Sequence, residues 1–411
     1  MDLRNDAEKI ISGAIKDVLP GKGVFDALRD FHEKAYFIAI GKAAWEMGNA
    51  CALHLKENLI KGIVITKYGH SRGPIENTDI YEAGHPILDD NGVSATEKAV
   101  EMAKGLKEGD HLIFLISGGG SALFEIPEKG LSIKDIEMIT QKLLACGADI
   151  KEMNIIRKRL SAVKGGKFAM ICPKANIYAV ILSDVLGDNP EFIASGPVSP
   201  DSSTFEDVTN IIDKYNLDFD SKIMPYLKAE TPKNIENVKI NITGSVTKLC
   251  QSASEHAKSL GYRTSIMTST LDCEAYEAGI LISSMAIHIK KCCEGMLPCA
   301  LIFGGETVVK LKGKGKGGRN QEIAISAAQG LENMENVLVF SVGSDGTDGP
   351  TDAAGGMADG TTVKRLKEVG FFVKDVLDNN DSYNALKAIG DLILTGPTGT
   401  NVNDIAVLLM K

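Results

Sequence analysis

The run His111-Leu112-Ile113-Phe114-Leu115-Ile116, followed at once by Ser117-Gly118-Gly119-Gly120-Ser121-Ala122-Leu123, decides the fold class. An unbroken apolar run of this length describes a strand covered on both faces, which is the state of strands in a parallel sheet. The glycine turn at its end lies where open α/β sheets hold their ligands. Ser117, Gly118, Gly119, Gly120 and Ser121 could wrap backbone N–H groups around a phosphate or carboxylate, although a plain tight turn has the same composition.

The same alternation extends toward the N-terminus. Asp6–Leu19 has helical spacing and stops at Pro20-Gly21, and Tyr36–Ile40 is an apolar strand followed by Gly41-Lys42 and a helix over Ala43–Glu57. Lys42 thus falls at a strand's carboxyl end and a helix start. It is not a Walker lysine, because Tyr36 and Ala43 stand where that motif needs Gly and Ser or Thr. Ile63–Thr66 and Asp79–Tyr81 are expected strands, and Ser94–Leu106 is an expected helix. Between them the loop Ala83–Asp89 carries a lone histidine, His85, for which a supporting role is the simpler reading.

Toward the C-terminus, Ser132–Leu144 reads as a helix and Met153–Ala169 as one basic helical region holding Arg157, Lys158, Arg159, Lys164 and Lys167. Such a run is ordinarily a solvated face, but Lys164-Gly165-Gly166-Lys167 couples glycine to lysine, and Lys164 is a candidate for phosphate contact. The strand Ile177–Leu182 leads into Asp184 and Asp188. Carboxylates there can accept a hydroxyl proton or hold Mg²⁺, the needs of phosphoryl transfer; turn-making aspartate is the bland alternative.

A polar segment around Pro232 marks a boundary, giving domains 1–232 and 238–411. The second resumes with strands at Val238–Ile242, Arg263–Met267 and Ala300–Phe303, and helices at Val246–Leu260 and Glu274–Cys292. An alternating run, Thr307–Lys312, reads as a further strand before the basic glycine loop Gly313-Lys314-Gly315-Lys316-Gly317-Gly318-Arg319-Asn320-Gln321-Glu322. Glycines, lysines and a helix start together favour an anion, with Arg319 supplying a bidentate clamp. Later come the Asp345–Asp352 loop, in which Asp345, Asp348 and Asp352 could meet a metal or hydroxyls, Asp345 being the candidate ligand contact, although turn chemistry explains the composition as well, and the hydroxyl-rich loop Thr395–Asn401.

The 411 residues are 44% hydrophobic and 24% charged, enough for ordinary cores. A net charge of −9 argues against a general nucleic-acid binder. Eight cysteines lack metal spacing and read as free thiols, and no stretch has the length of a membrane span. A cytoplasmic location is expected.

Taken in order, Gly41-Lys42-Ala43-Ala44, Ala83-Gly84-His85-Pro86, Ser117–Leu123, Arg157-Lys158 with Lys164-Gly165-Gly166, Ser183-Asp184-Val185 with Gly187-Asp188, and Ser195-Gly196-Pro197 resemble the glycerate kinases that make 2-phosphoglycerate. So do Gly318–Glu322, Asp345–Gly355 and Thr395–Asp404, which match that family's C-terminal module, MOFRL. The resemblance implies an α/β chain with an N-terminal Rossmann-like parallel-sheet domain and a smaller C-terminal α/β domain. It also implies ATP and Mg²⁺ as cofactors, D-glycerate as substrate and an active site in an interdomain cleft. Lys42 and Arg319 match the family's proposed catalytic cations. Asp184 is expected to orient Mg²⁺ or the substrate hydroxyl, with Asp188 as a second metal ligand. No nucleic acid or membrane is expected as partner, and a homodimer is left open. Two rivals stand beside this reading: an NAD(P)H-dependent hydroxypyruvate reductase, because Gly313, Gly315 and Gly318 fit G-x-G-x-x-G, and a non-catalytic phosphometabolite-binding protein.

Overall fold

A computed structural model describes residues 2–411. They form two compact units, one of residues 20–243, the other of residues up to 19 together with 244–411.

The first unit holds β1 (Ala35–Ile40), β2 (Leu59–Lys67), β3 (Thr78–Ala83), β4 (His111–Ile116), β5 (Asn176–Leu182) and β6 (Val238–Gly244) in the order β3-β2-β1-β4-β5-β6. β1 pairs parallel with both β2 and β4, and the parallel pairing continues from β2 to β3 and from β4 to β5. The chain therefore runs outward from β1 on one side and starts again beside it with β4. That reversal makes the carboxyl ends of β1 and β4 the switch point where such sheets bind ligands. β4 is buried along its length apart from its first residue, as the unbroken apolar run requires. Behind it Phe114 stacks on Phe168 with ring centroids 4.9 Å apart and meets Phe124 edge-on at 5.6 Å.

The second unit holds β7 (Arg263–Leu271), β8 (Cys299–Gly305), β9 (Val337–Gly343), β10 (Gly355–Asp359), β11 (Leu392–Ile393) and β12 (Asp404–Met410), ordered β11-β10-β9-β12-β8-β7. Only β7 and β8 pair parallel; β8, β12, β9, β10 and β11 run antiparallel in turn. In this register Asp404 begins β12 opposite both Gly305 and Gly343.

Three boundaries differ from expectation. The division falls at residue 243 instead of between 232 and 238, since β6 belongs to the first sheet, and the helix Leu3–Asp17 packs in the second unit. The segment Thr307–Lys312 is not a strand: β8 already has β12 and β7 as neighbours, leaving 307–312 a single bridge from Val308 to Glu274. The basic region is not one helix either; Ile150–Leu160 is helical, and then Gly165 and Gly166 turn the chain at φ 57° and 82°.

Candidate active site

At the switch point β1 and β4 end against each other. The Lys42 N–H donates to the Gly118 carbonyl at 2.9 Å, and the Ala43 N–H donates to Ser117 Oγ at 3.1 Å. Gly41 is obligatory here, because at φ 110° a Cβ would lie 2.3 Å from Ser117 Oγ. Gly118 and Gly119 admit what surrounds them. A Cβ on Gly118 would fall 2.0 Å from Asp184 Oδ2, and one on Gly119 would fall 2.9 Å from His85 Nε2 and 3.2 Å from Lys42 Cγ. Lys42, Asp184 and His85, far apart in the chain, thus gather around two glycines. Lys42 is exposed and pairs with no acid among the described residues. Burial, with the charge of Lys42 behind it, lowers the His85 pKa and keeps the ring neutral near pH 7.

Around the loop, Gly120 begins a single helical turn and Ser121 Oγ lies 2.9 Å from Ser195 Oγ. Ser195 donates onward to Asn154 Oδ1 at 2.8 Å. Lys164 does not reach open space as expected. It is wholly buried, pairs with Glu125 and donates to the Ser121 carbonyl at 2.7 Å, so it props the glycine loop from beneath. Burial brings its pKa down to about 8. Asp188 lies beyond β5 at φ 54°, with a buried Oδ1 that meets no donor.

The second unit revises the glycine loop most. The backbone donors of its first part are already taken: Lys312 and Gly313 N–H by Asn380 Oδ1 at 2.7 and 3.0 Å, Lys314 by Asn379 Oδ1 at 3.1 Å, Gly315 by the Asn379 carbonyl at 2.8 Å, and Lys316 by Asp381 Oδ1 at 2.9 Å. The glycines exist for this close approach, since a Cβ at Gly313 would sit 2.3 Å from the Asn379 backbone and one at Gly317 would sit 2.2 Å from Ser382 Oγ. Nor is the start of the helix Arg319–Leu331 open to an anion. Asp348 occupies it, accepting from Asn320 N at 3.1 Å and Gln321 N at 2.9 Å. The segment is not a pyrophosphate cradle, and without a strand before it the dinucleotide fingerprint loses its context.

Arg319 survives this revision. Its guanidinium donates from Nε to Asp404 Oδ2 at 2.5 Å, from Nη2 to Asp404 Oδ1 at 3.2 Å, and from Nη1 to Glu306 Oε1 at 2.7 Å. The side chain stays 34% exposed, so it is fixed in direction yet still reachable. It lines a cavity of about 700 Å³ together with Thr307, Val308, Leu311, Asp345 and Pro350. The Thr307 hydroxyl is buried without a hydrogen-bond partner. Sequence reasoning singled out Asp348 only as a possible metal or hydroxyl contact, not as the acceptor at this helix start, and it missed Glu306, Asp404 and Asn379–Asp381 as holders of the site. Their signal was present only as short polar motifs whose partners cannot be read from spacing.

A parallel-sheet unit with a glycine loop at its switch point, and a second unit presenting an arginine to a cavity, make this a two-unit α/β protein with a candidate ligand site in each unit. The comparisons make that class particular. Residues 6–228 match a family model described as a domain of unknown function, DUF4147, and residues 299–404 match the MOFRL family. The chain is 48% identical to the D-glycerate 2-kinase of Thermotoga maritima over 99% of its own length and 98% of that protein's. It is 40% identical to the glycerate 2-kinase of Pyrococcus horikoshii, covering 100% of this chain and 98% of that one. A crystal structure of glycerate kinase from Thermotoga maritima superposes with a TM-score of 0.96, covering 100% of this chain and 99% of that one. The chain belongs to the MOFRL-containing glycerate 2-kinase family, whose members are phosphotransferases.

Proposed function

We propose that the protein transfers the γ-phosphoryl group of ATP to the 2-hydroxyl of D-glycerate. The observation carrying this reading is the convergence of Lys42 and Asp184 on Gly118-Gly119 at the sheet's switch point. Phosphoryl transfer is won by positioning and charge neutralisation, so an acid-free lysine and an oriented arginine are the groups it needs. Lys42 and Arg319 stabilise the charge of the transferring group, and Asp184 orients the glycerate hydroxyl that attacks.

The 700 Å³ cavity suits the nucleotide better than the three-carbon acid, because drug-sized ligands fill pockets of about 300–1,000 Å³. Val308, Leu311 and Pro350 offer an apolar wall for a base, and Asp345 offers an acceptor for ribose hydroxyls. Mg²⁺ takes one or two carboxylates and fills its remaining positions with water and phosphate. Asp184 and Asp188, the latter with its unsatisfied buried oxygen, fit that sparse requirement, and no larger metal-binding group of acids, histidines and cysteines exists among the described residues. When bound, Mg²⁺ neutralises phosphate charge.

The test is ADP release from ATP in the presence of D-glycerate, with NMR of the product to locate the phosphate. Phosphate on the 2-hydroxyl is expected, and Arg319→Ala should lower kcat about 10²-fold while leaving the fold intact. Phosphate on the 3-hydroxyl overturns the regiochemistry, and NADH oxidation with hydroxypyruvate in place of ADP release overturns the whole reading.

A further inference from the structure

The basic run, ordinarily a solvated face and read as a candidate for phosphate contact at Lys164, is mostly internal. Lys158 pairs with Asp201 at 3.1 Å, Arg159 with Glu230 at 3.4 Å, Lys164 with Glu125, and Lys167 with Glu128 at 2.7 Å. Arg157 is the exception. Among the described residues it makes no ion pair and no side-chain hydrogen bond, although the residue is partly buried and its Nε is sealed from water with no acceptor. A guanidinium that has lost water on one side and gained no carboxylate is an unfavourable thing to keep unless something else supplies the anion.

Its position says where that anion would lie. Arg157 follows Asn154 by three residues on the helix Ile150–Leu160, so the two share a face. Asn154 accepts from Ser195, which lies 2.9 Å from Ser121 at the end of the glycine loop. Lys164, whose ammonium donates to the Ser121 carbonyl, feels the charge of Arg157 directly. The arginine therefore stands at the Ser121 side of the same loop that Lys42, His85 and Asp184 flank at Gly118 and Gly119.

We propose that Arg157 binds the carboxylate of the acceptor acid, its planar fork taking the two oxygens while the Ser121 and Ser195 hydroxyls border the site. A carboxylate is the better match than a phosphate, because the fork pairs two coplanar oxygens. The assignment rests on the kinase reading and adds to it the group that separates a hydroxy acid from a simple polyol.

Steady-state kinetics of Arg157→Met and Arg157→Lys test it. Arg157→Met should raise the KM for D-glycerate at least tenfold with the KM for ATP unchanged, Arg157→Lys should recover part of the loss, and the melting temperature of Arg157→Met should equal or exceed that of the parent. An unchanged glycerate KM, a rise in the ATP KM in its place, or a marked fall in melting temperature overturns the assignment. Should the parent enzyme release no ADP, the kinase reading fails by itself, and calorimetry still decides the site. The parent protein must then bind D-glycerate at least tenfold more tightly than glycerol, and Arg157→Met must lose that preference; equal preference in both proteins overturns it.

Discussion

Asp404 is drawn in two directions. Burial pushes its carboxyl up to about 6, with Asp348 adding in the same sense, while the two hydrogen bonds from Arg319 pull it down. Burial prevails, and linkage follows with a definite sign. Between the ordinary carboxylate value and about 6 the folded protein holds a proton that the unfolded chain has released, so stability falls as pH rises through that window. A shift of this size corresponds to roughly 3 kcal/mol. Asp404→Asn has no proton to lose there, so urea unfolding at pH 4.5, already inside the window, and at pH 7 should show the parent losing about 2 kcal/mol relative to the variant. A parent-to-variant difference that is flat with pH would mean that Arg319, and not burial, sets this carboxyl. What the cost secures is Arg319, aimed by Asp404 and Glu306. Arg319 itself was legible as the last basic residue before a helix, whereas Asp404 lies 85 residues further on and only pairing across the sheet end brings it close.

Loops and the elements beneath them show where local pattern misleads. Gly313–Gly317 and Lys164–Lys167 both mix glycine with lysine, and neither is a phosphate cradle: the first packs on Asn379–Asp381, and the second folds its lysines onto internal acids. Glycine permits close approach to a ligand and to the chain's own backbone alike, so composition does not separate the two. The loop after β4 was legible because an unbroken apolar strand fixes its surroundings. Its support, the Lys164–Glu125 pair, is wholly buried, and Glu125 Oε1 already lacks a donor. Lys164→Met should therefore cost about 3–5 kcal/mol by stranding Glu125, and it should loosen Ser121. Adding Glu125→Leu should recover most of that stability, as read by urea unfolding, without restoring catalysis. Failure of the second substitution to rescue would mean that the lysine's bond to the Ser121 carbonyl, and not the ion pair, holds the element.

At the scale of the chain, the order of segments conceals how the units are built. An N-terminal helix before a strand reads naturally as the opening of the first α/β unit, yet Leu3–Asp17 belongs with residues 244–411. Its contacts explain why: Tyr262 donates to Asp6 at 2.7 Å, Arg4 bridges Asp359 and Asp391, and Gly13 leaves room for the His256 ring, which a Cβ would approach to 2.5 Å. Ile10, Ile11, Ile15 and Val18 are buried there, and each such side chain contributes about 1.5–3 kcal/mol. That sum is comparable to the whole stability of a typical domain, about 5–15 kcal/mol, so the second unit should be far less stable without the helix than with it. A chain beginning at residue 20 should unfold in two steps followed by circular dichroism, the earlier one absent from the full chain. The remedy lies in the same geometry: Lys411 donates to Asp6 at 2.6 Å, which brings the C-terminus to the start of the helix. A permuted chain that begins at residue 20 and joins Lys411 through a short glycine linker to residues 2–19 should recover a single transition near the parent temperature. Two transitions in the permuted chain would show that the covalent path from Leu19 to Pro20, and not packing of the helix, couples it to the fold.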